Sequence, residues 1–176
     1  PWECHDYLVH GLKAAVTKEE YAGLINRFFD FVERETGRKI VIAAHPKHTK
    51  EDDIYGGRPF LYGAEPLIRH ASGVFAHYSG ALKFAVIHGR PLCFISSRKL
   101  LADGYYQMNL AAYARGLRAP VHMIDRELEW RELAASGFFR YDETAYEEYL
   151  RRYIVARPQQ RLLWELIADA LQEQAS

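Results

Sequence analysis

Two stretches of the 176-residue chain combine side chains able to do chemistry: His45-Pro46-Lys47-His48 and His77-Tyr78-Ser79-Gly80. Pro46 fixes its own φ and pushes the preceding residue into an extended conformation, so the His45 imidazole leaves the backbone in a defined direction. Rigid placement suits a group that must meet a substrate. Lys47, His48, Lys50 and Arg58 add cationic donors. These suit a phosphate or carboxylate, because oxyanions are held best by charge-assisted hydrogen bonds. In the second stretch, Ser79-Gly80 stands where a helix is expected to begin. Free backbone N–H groups, the positive end of a helix dipole and a hydroxyl would make an anion site there, and Gly80 would let a ligand approach the backbone closely. Each feature also has a plainer reading. Lys50 can pair with Glu51 or Asp52 across water, Ser79 can simply cap its helix, and His77 and His88 can be satisfied structural histidines.

The elements that must position these residues follow from local pattern. Apolar runs at 40–44, 73–77 and 92–95 are each bounded by Gly, Pro or polar residues. Each is long enough for a strand and too short for a typical helix, so all three read as buried strands of one sheet. Residues 78–89 have helical apolar spacing and end in Gly89 before Pro91, a stop signal. Strand, turn, helix, strand is a parallel crossover, and parallel sheets bind ligands beyond the C-terminal ends of their strands. Both reactive stretches belong there. Upstream, Thr17-Lys18-Glu19-Glu20 is a capping box. The helix it starts carries Tyr21, Leu24, Ile25, Phe28, Phe29 and Val32 on one face and ends at Gly37.

Residues 60–62 read as a short edge strand and 65–71 as a helix with Pro66 in its first turn. Ser96-Ser97 follow the third strand, where they touch the same ligand or cap the next helix. From 98 to 117 the pattern is helical with an interruption at Gly104; 121–125 is a fourth strand and 127–135 a short helix. Helices at 144–154 and 159–174, separated by Arg157-Pro158, complete the chain.

Hydrophobic residues make up 49% and aromatics 14% of the sequence, enough to bury the core of one domain over 1–176. Residues 1–16 read as an interdomain segment and 143–176 as C-terminal helices. Lys plus Arg and Asp plus Glu both total 23, so no global field argues for nucleic acid or a membrane surface. No apolar run approaches the roughly 20 residues of a membrane span, and no signal-peptide pattern opens the chain. Cys4 and Cys93 make no disulfide framework, and Cys93 sits in an apolar strand as a small hydrophobe. His5 and His10 lack a nearby carboxylate cluster, so no metal is expected. A start at Pro1 without Met reads as an excised segment of a longer protein.

Several runs together resemble one family: Glu20-Tyr21, Phe28-Phe29-Asp30, Val41-Ile42-Ala43-Ala44-His45-Pro46-Lys47, Gly73-Val74-Phe75-Ala76-His77-Tyr78-Ser79, Phe84-Ala85-Val86 and Arg90-Pro91-Leu92-Cys93-Phe94-Ile95. Over roughly residues 17 to 97 they are similar to the carboxy-terminal, donor-binding half of bacterial surface-polysaccharide glycosyltransferases of the GT-B fold. The resemblance implies an α/β architecture. It would be a Rossmann-like parallel sheet of about four to five strands with helices on both faces, followed by a helical C-terminal tail. In similar enzymes, including bacterial sialyltransferases, polysialyltransferases and glycerophosphate transferases of wall polymers, a His-Pro after one strand and a Ser or Thr motif after a later one face the donor nucleotide. His45-Pro46 matches the first element and Ser79 the second, while Gly80 stands where many relatives show a second hydroxyl.

Carried over, the resemblance implies His45 as the catalytic residue and His45, Lys47, His48, Arg58, His77, Ser79 and Gly80 as the donor-binding set. No metal or cofactor is implied, since helix termini and cationic side chains take that role. The implied partners are a nucleotide sugar, a carbohydrate acceptor and the amino-terminal half of the same protein. The implied location is the cytoplasm or the inner face of the bacterial membrane. Glycosyl transfer from a nucleotide sugar needs stabilisation of negative charge developing on the phosphate and a base for the acceptor hydroxyl. The base would come from the absent half, leaving this chain inactive alone. Two other classes stay open. A nucleotide-sugar epimerase or hydrolase would need a carboxylate pair, for which Asp52, Asp53 and Glu65 are the nearby candidates. A Rossmann-like interaction module would leave the histidines structural.

Overall fold

The computed structural model describes residues 14–45, 54–154 and 172. The chain opens with helix α1 (Lys18–Thr36), strand β1 (Ile42–Ala43), strand β2 (Phe60–Leu61), helix α2 (Ala64–His70) and strand β3 (Val74–Ala76). Next come α3 (Leu82–Ile87), β4 (Leu92–Ser96), α4 (Arg98–Leu101), α5 (Gly104–Leu117) and β5 (Val121–Met123). Helices α6 (Trp130–Ala135) and α7 (Glu143–Tyr149) follow, and α7 runs on into one π-helical turn at Leu150–Ile154.

The capping box forms as the sequence dictates. The Glu20 amide donates to Thr17 Oγ1 and the Thr17 amide to Glu20 Oε2, both at 3.2 Å, and Gly37 ends α1 at φ 66°. Helix α1 buries Tyr21, Ile25, Phe28, Phe29 and Val32 of the stripe read from the sequence, leaves Leu24 half-buried and buries Phe31 in addition. The interruption at Gly104 is real and has a local cause. Asp103 caps α5 by accepting from the Tyr106 amide at 2.9 Å, which separates α5 from the short α4. The expected helix at 127–135 begins only at Trp130. The one expected at 159–174 lies almost wholly outside the described residues, as do His5, His10 and Cys4.

The sheet departs from expectation. Instead of one parallel sheet of four to five strands, the described residues form two parallel ladders, β1-β2 and β3-β4-β5. Backbone satisfaction explains the split. The Ile42 and Ala44 amides both donate to the β2 side, at 2.8 Å to Pro59 O and Leu61 O, while the Ile40 amide is taken at 2.8 Å by Glu33 Oε1 of α1. The strand expected over 40–44 therefore shortens to two residues, and Val41, expected inside, is 44% exposed. By contrast, β4 is buried along all five residues, between β3 (register Phe75↔Cys93) and β5 (register Ile95↔His122). A strand buried on both faces reads as a continuous apolar run, which Leu92-Cys93-Phe94-Ile95 is.

These registers place Phe75, Cys93, Ile95 and His122 on one face of the three-stranded sheet. Phe28 of α1 packs there, edge-on to Phe75 at 4.9 Å and 5.9 Å from the His122 ring. Helices α3 and α5 both pack against α7, and right-handed crossovers put them together on the opposite face. The core is then a sheet between two helical layers, with Phe28, Phe94, Leu110 and Tyr106 fully buried. Each such apolar side chain contributes on the order of 2 kcal/mol. Among the described residues no helix is long and apolar enough to cross a membrane.

Candidate functional site

Because β3, β4 and β5 run parallel, their C-terminal ends share one rim, and three segments leave the sheet there: 77–80, 96–98 and 124–126. The first is the most open. Ser79 and Gly80 are exposed, and a Cβ built on Gly80 would meet nothing within 4 Å. Ser79 Oγ accepts from the Ala81 amide at 3.2 Å, and its carbonyl accepts from the Leu82 amide at 3.1 Å. Helix α3, expected over 78–89, therefore starts four residues later, at Leu82, and spans only six residues. Its N-cap is Ala81, so Ser79 closes a tight turn ahead of the helix instead of capping it. That turn leaves the Ser79 and Gly80 N–H groups without a hydrogen-bond partner among the described residues.

His77, two residues before, is held inside. Its Nε2 lies 2.8 Å from the Tyr21 hydroxyl of α1 and its Nδ1 lies 2.7 Å from the Tyr106 hydroxyl of α5. Tyr106 in turn donates to the Ile95 carbonyl at 3.3 Å. That last bond uses the Tyr106 proton. Nδ1 must then be the donor to Tyr106, and in a neutral ring Nε2 accepts from Tyr21. Desolvation drives the His77 pKa down to about 3, which keeps it neutral. Both ring nitrogens are occupied, so His77 clasps α1 and α5 to the end of β3 and presents no nitrogen to a ligand.

The segment after β4 is sealed as well. Ser96 and Ser97 are buried, and Ser97 Oγ caps α4 by accepting from the Leu100 amide at 3.3 Å. After β5, Asp125 accepts from the Arg98 backbone and side-chain nitrogens at 3.0 and 3.1 Å. Burial works against that carboxylate, but the Arg98 bonds hold its pKa below the ordinary range.

His45 is exposed, two residues beyond Ala43, where β1 ends. It stands at the C-terminal end of its own ladder, and no backbone hydrogen bond joins that ladder to β3 among the described residues. Pro46, Lys47, His48, Lys50, Asp52 and Asp53 lie outside the described residues. Arg58 is elsewhere. It precedes β2, which pairs parallel with β1, so it sits at the end of that ladder opposite to His45. Its guanidinium binds Glu33 Oε2 at 2.8 Å, Asp30 Oδ1 at 2.5 Å, Asn26 Oδ1 at 3.0 Å and the Tyr55 carbonyl at 3.1 Å, 5.3 Å above the Phe29 ring. With its side chain 9% exposed, Arg58 is a structural tie between the 54–58 segment and α1, not a cation offered to solvent.

The structure thus leaves Ser79, Gly80 and His45 at exposed strand exits and withdraws His77 and Arg58 into the protein. Sequence reasoning missed Tyr21 and Tyr106 as partners of His77, since nothing in local spacing connects positions 21, 77 and 106. Asn26, Asp30 and Glu33, spaced i, i+4 and i+7 on α1, carried a readable signal for a buried cation. Glu65, the described member of the carboxylate set, bonds His88 Nε2 at 2.6 Å, at the end of α3 that leads back to the start of β4. That is the rim away from the strand exits. No model of a known protein family, no curated protein and no solved structure matches this chain.

Proposed function

We propose that the chain is the donor-binding half of a glycosyltransferase. It would hold a nucleotide sugar at the C-terminal rim of its parallel sheet while a carbohydrate acceptor and the general base are supplied from an amino-terminal half. The observation that carries this reading is the exposed Ser79-Gly80 turn. Two amides without partners among the described residues stand at the end of a parallel strand, under open space, where developing phosphate charge can be met by donors that need no reorganisation. The donor's phosphates would lie on those amides. His45, with Lys47 and His48 beside it in sequence, would approach from the β1 exit to neutralise the leaving group. Arg58 and His77 take no part. The epimerase or hydrolase reading loses support from Glu65, which His88 holds at the other rim.

Calorimetric titration of the full chain with CMP, UDP, CDP and GDP tests the proposal. Saturable binding of at least one is expected. Ser79→Ala should weaken it about fivefold, the effect of one lost hydrogen bond. Gly80→Ala should weaken it at least as much while leaving the melting temperature unchanged, because its methyl group meets only ligand space. Absence of saturable binding to all four nucleotides, or wild-type affinity in both variants, overturns the reading in favour of an interaction module.

A further inference from the structure

Beside β5 the fold leaves a groove of about 450 Å³, within the size range of small-molecule sites. It begins where Arg27 Nη2 donates to the Ile124 carbonyl at 2.7 Å and runs along α1 past Phe31 to Arg34. Arg126 and Leu128, in the segment after β5, form the opposite wall. Arg27 and Arg34 are seven residues apart, about 10 Å along the helix axis. Phe31, 4% exposed, lies between them, with the Arg34 guanidinium 5.5 Å above its ring. Three arginines, two from α1 and one from the segment after β5, therefore line the groove together with Phe31 and Leu128.

The acidic residues of the groove do not cancel them. Asp125 is already bonded by Arg98. Arg34 pairs with Glu35 at 2.9 Å and Arg126 with Glu132, but these are solvent-exposed pairs, which contribute little and exchange partners readily. Glu127 alone lines the groove without a bonded cation among the described residues. A second observation agrees. His122, 3% exposed on β5, has Nε2 without a partner among the described residues, and its pKa is lowered first by burial and then by the charge of Arg126, against the smaller opposing effect of Glu132.

We infer that this groove is an anion site that takes a phosphate ester. Guanidinium forks on Arg34 and Arg126 would grip the phosphate oxygens in place of Glu35 and Glu132, and Arg27, fixed by Ile124, would supply a third cation. A phosphate dianion gains what a single carboxylate cannot, since it can engage forks from both walls at once. The site uses no residue of the Ser79 turn, so it stands or falls apart from the donor reading.

Amide NMR titration of the full chain with inorganic phosphate, UMP and uridine tests it. Phosphate and UMP should shift amides of 126–128 and 27–34 saturably, more weakly as salt rises, and uridine should not. Arg126→Gln and Arg34→Gln should each weaken UMP about fivefold, and the pair more than tenfold, while Arg131→Gln, outside the groove on α6, should leave affinity unchanged. Retained spectral dispersion in each variant shows that loss of binding is not loss of fold. Unsaturable shifts, or wild-type affinity in the double variant, overturn the groove. UMP binding that depends on Ser79 and not on Arg126 supports the donor site and refutes the groove, and the reverse dependence does the opposite.

Discussion

His77 illustrates how a residue that looks reactive can be a fastening. Its ring is neutral in the fold with a pKa near 3, whereas an unfolded histidine titrates near its ordinary 6.5. The folded value is depressed, so the stability it carries is fully present above about pH 6.5. As pH falls through the window toward 3, the unfolded chain takes up a proton that the fold refuses, and stability declines by up to about 1.4 kcal/mol per pH unit. His122, also lowered by burial, adds to the same slope. Denaturant titrations between pH 6.5 and 5.5, above the range where the unfolded-state carboxyls of Glu33 and Asp125 take up protons, should show this decline. His77→Gln should flatten it, and an unchanged slope would refute the neutral clasp. Arg58 is the second such residue. Removing it in Arg58→Ala leaves Glu33 and Asp30 facing each other without a cation and should cost about 2 kcal/mol or more in urea unfolding. Arg58→Lys should restore only part of this, because one ammonium cannot reach acceptors that a planar fork spans.

Among the elements, α1 matters most, because it closes one face of the sheet and contributes Tyr21 to the His77 clasp and Glu33 to the Arg58 tie. Its capping box should be worth about 1 kcal/mol, so Thr17→Ala is expected to lower the melting temperature by a few degrees. Glu20→Gln keeps the cap geometry and loses only the ion pair to Lys99 at 2.5 Å, so it should cost distinctly less. Thermal unfolding followed by circular dichroism separates the two. This helix was legible from sequence because all its signals are local: a box four residues long, a 3.6-residue stripe and a terminal Gly37. Strand β4 was legible for a related reason, since a strand covered on both faces is apolar throughout. What local pattern could not carry was pairing. Residues 40–44 read as a buried strand because their side chains are apolar. Whether the backbone beside them meets another strand or a Glu33 carboxylate depends on a helix that ends several residues earlier. The same limit hid the partners of His77, 29 and 56 residues away, and hid which cation the Asn26, Asp30 and Glu33 spacing would hold, since Arg58 lies 25 to 32 residues further on. The Ser79-Gly80 exit was readable as exposed turn chemistry, but the start of α3 was misplaced by four residues because a Ser turn and a Ser cap look alike in sequence.

At the scale of the whole molecule, the two ladders make the fold uneven in stability. In the three-stranded sheet the Val74 amide donates to Pro91 O, Phe94 to Pro120 O and Ile124 to Ser96 O, each at 2.8 Å and around a strand that solvent does not reach. The Ile42 and Ala44 bonds to Pro59 O and Leu61 O are equally short, yet they belong to a two-residue ladder with Val41 and Leu61 exposed beside it. Hydrogen-bond length is therefore not what distinguishes them. Opening β1 from β2 uncovers little apolar surface, whereas freeing the Phe94 amide requires separating β4 from a neighbour and admitting water to the core, close to global unfolding. Native-state hydrogen exchange should then rank the amides in two classes. Those of 93–95 are expected to exchange only through whole-molecule opening and to track denaturant with the full unfolding slope, and those of Ile42 and Ala44 to exchange orders of magnitude faster with almost no slope. The consequence reaches the candidate site. The β1 exit that carries His45 would move on a shorter timescale than the β3 exit that carries Ser79, which Tyr21 and Tyr106 pin through His77. Equal protection of Ile42 and Phe94 would show instead that β1 is locked to the three-stranded sheet, and both exits would then be presented by one rigid body.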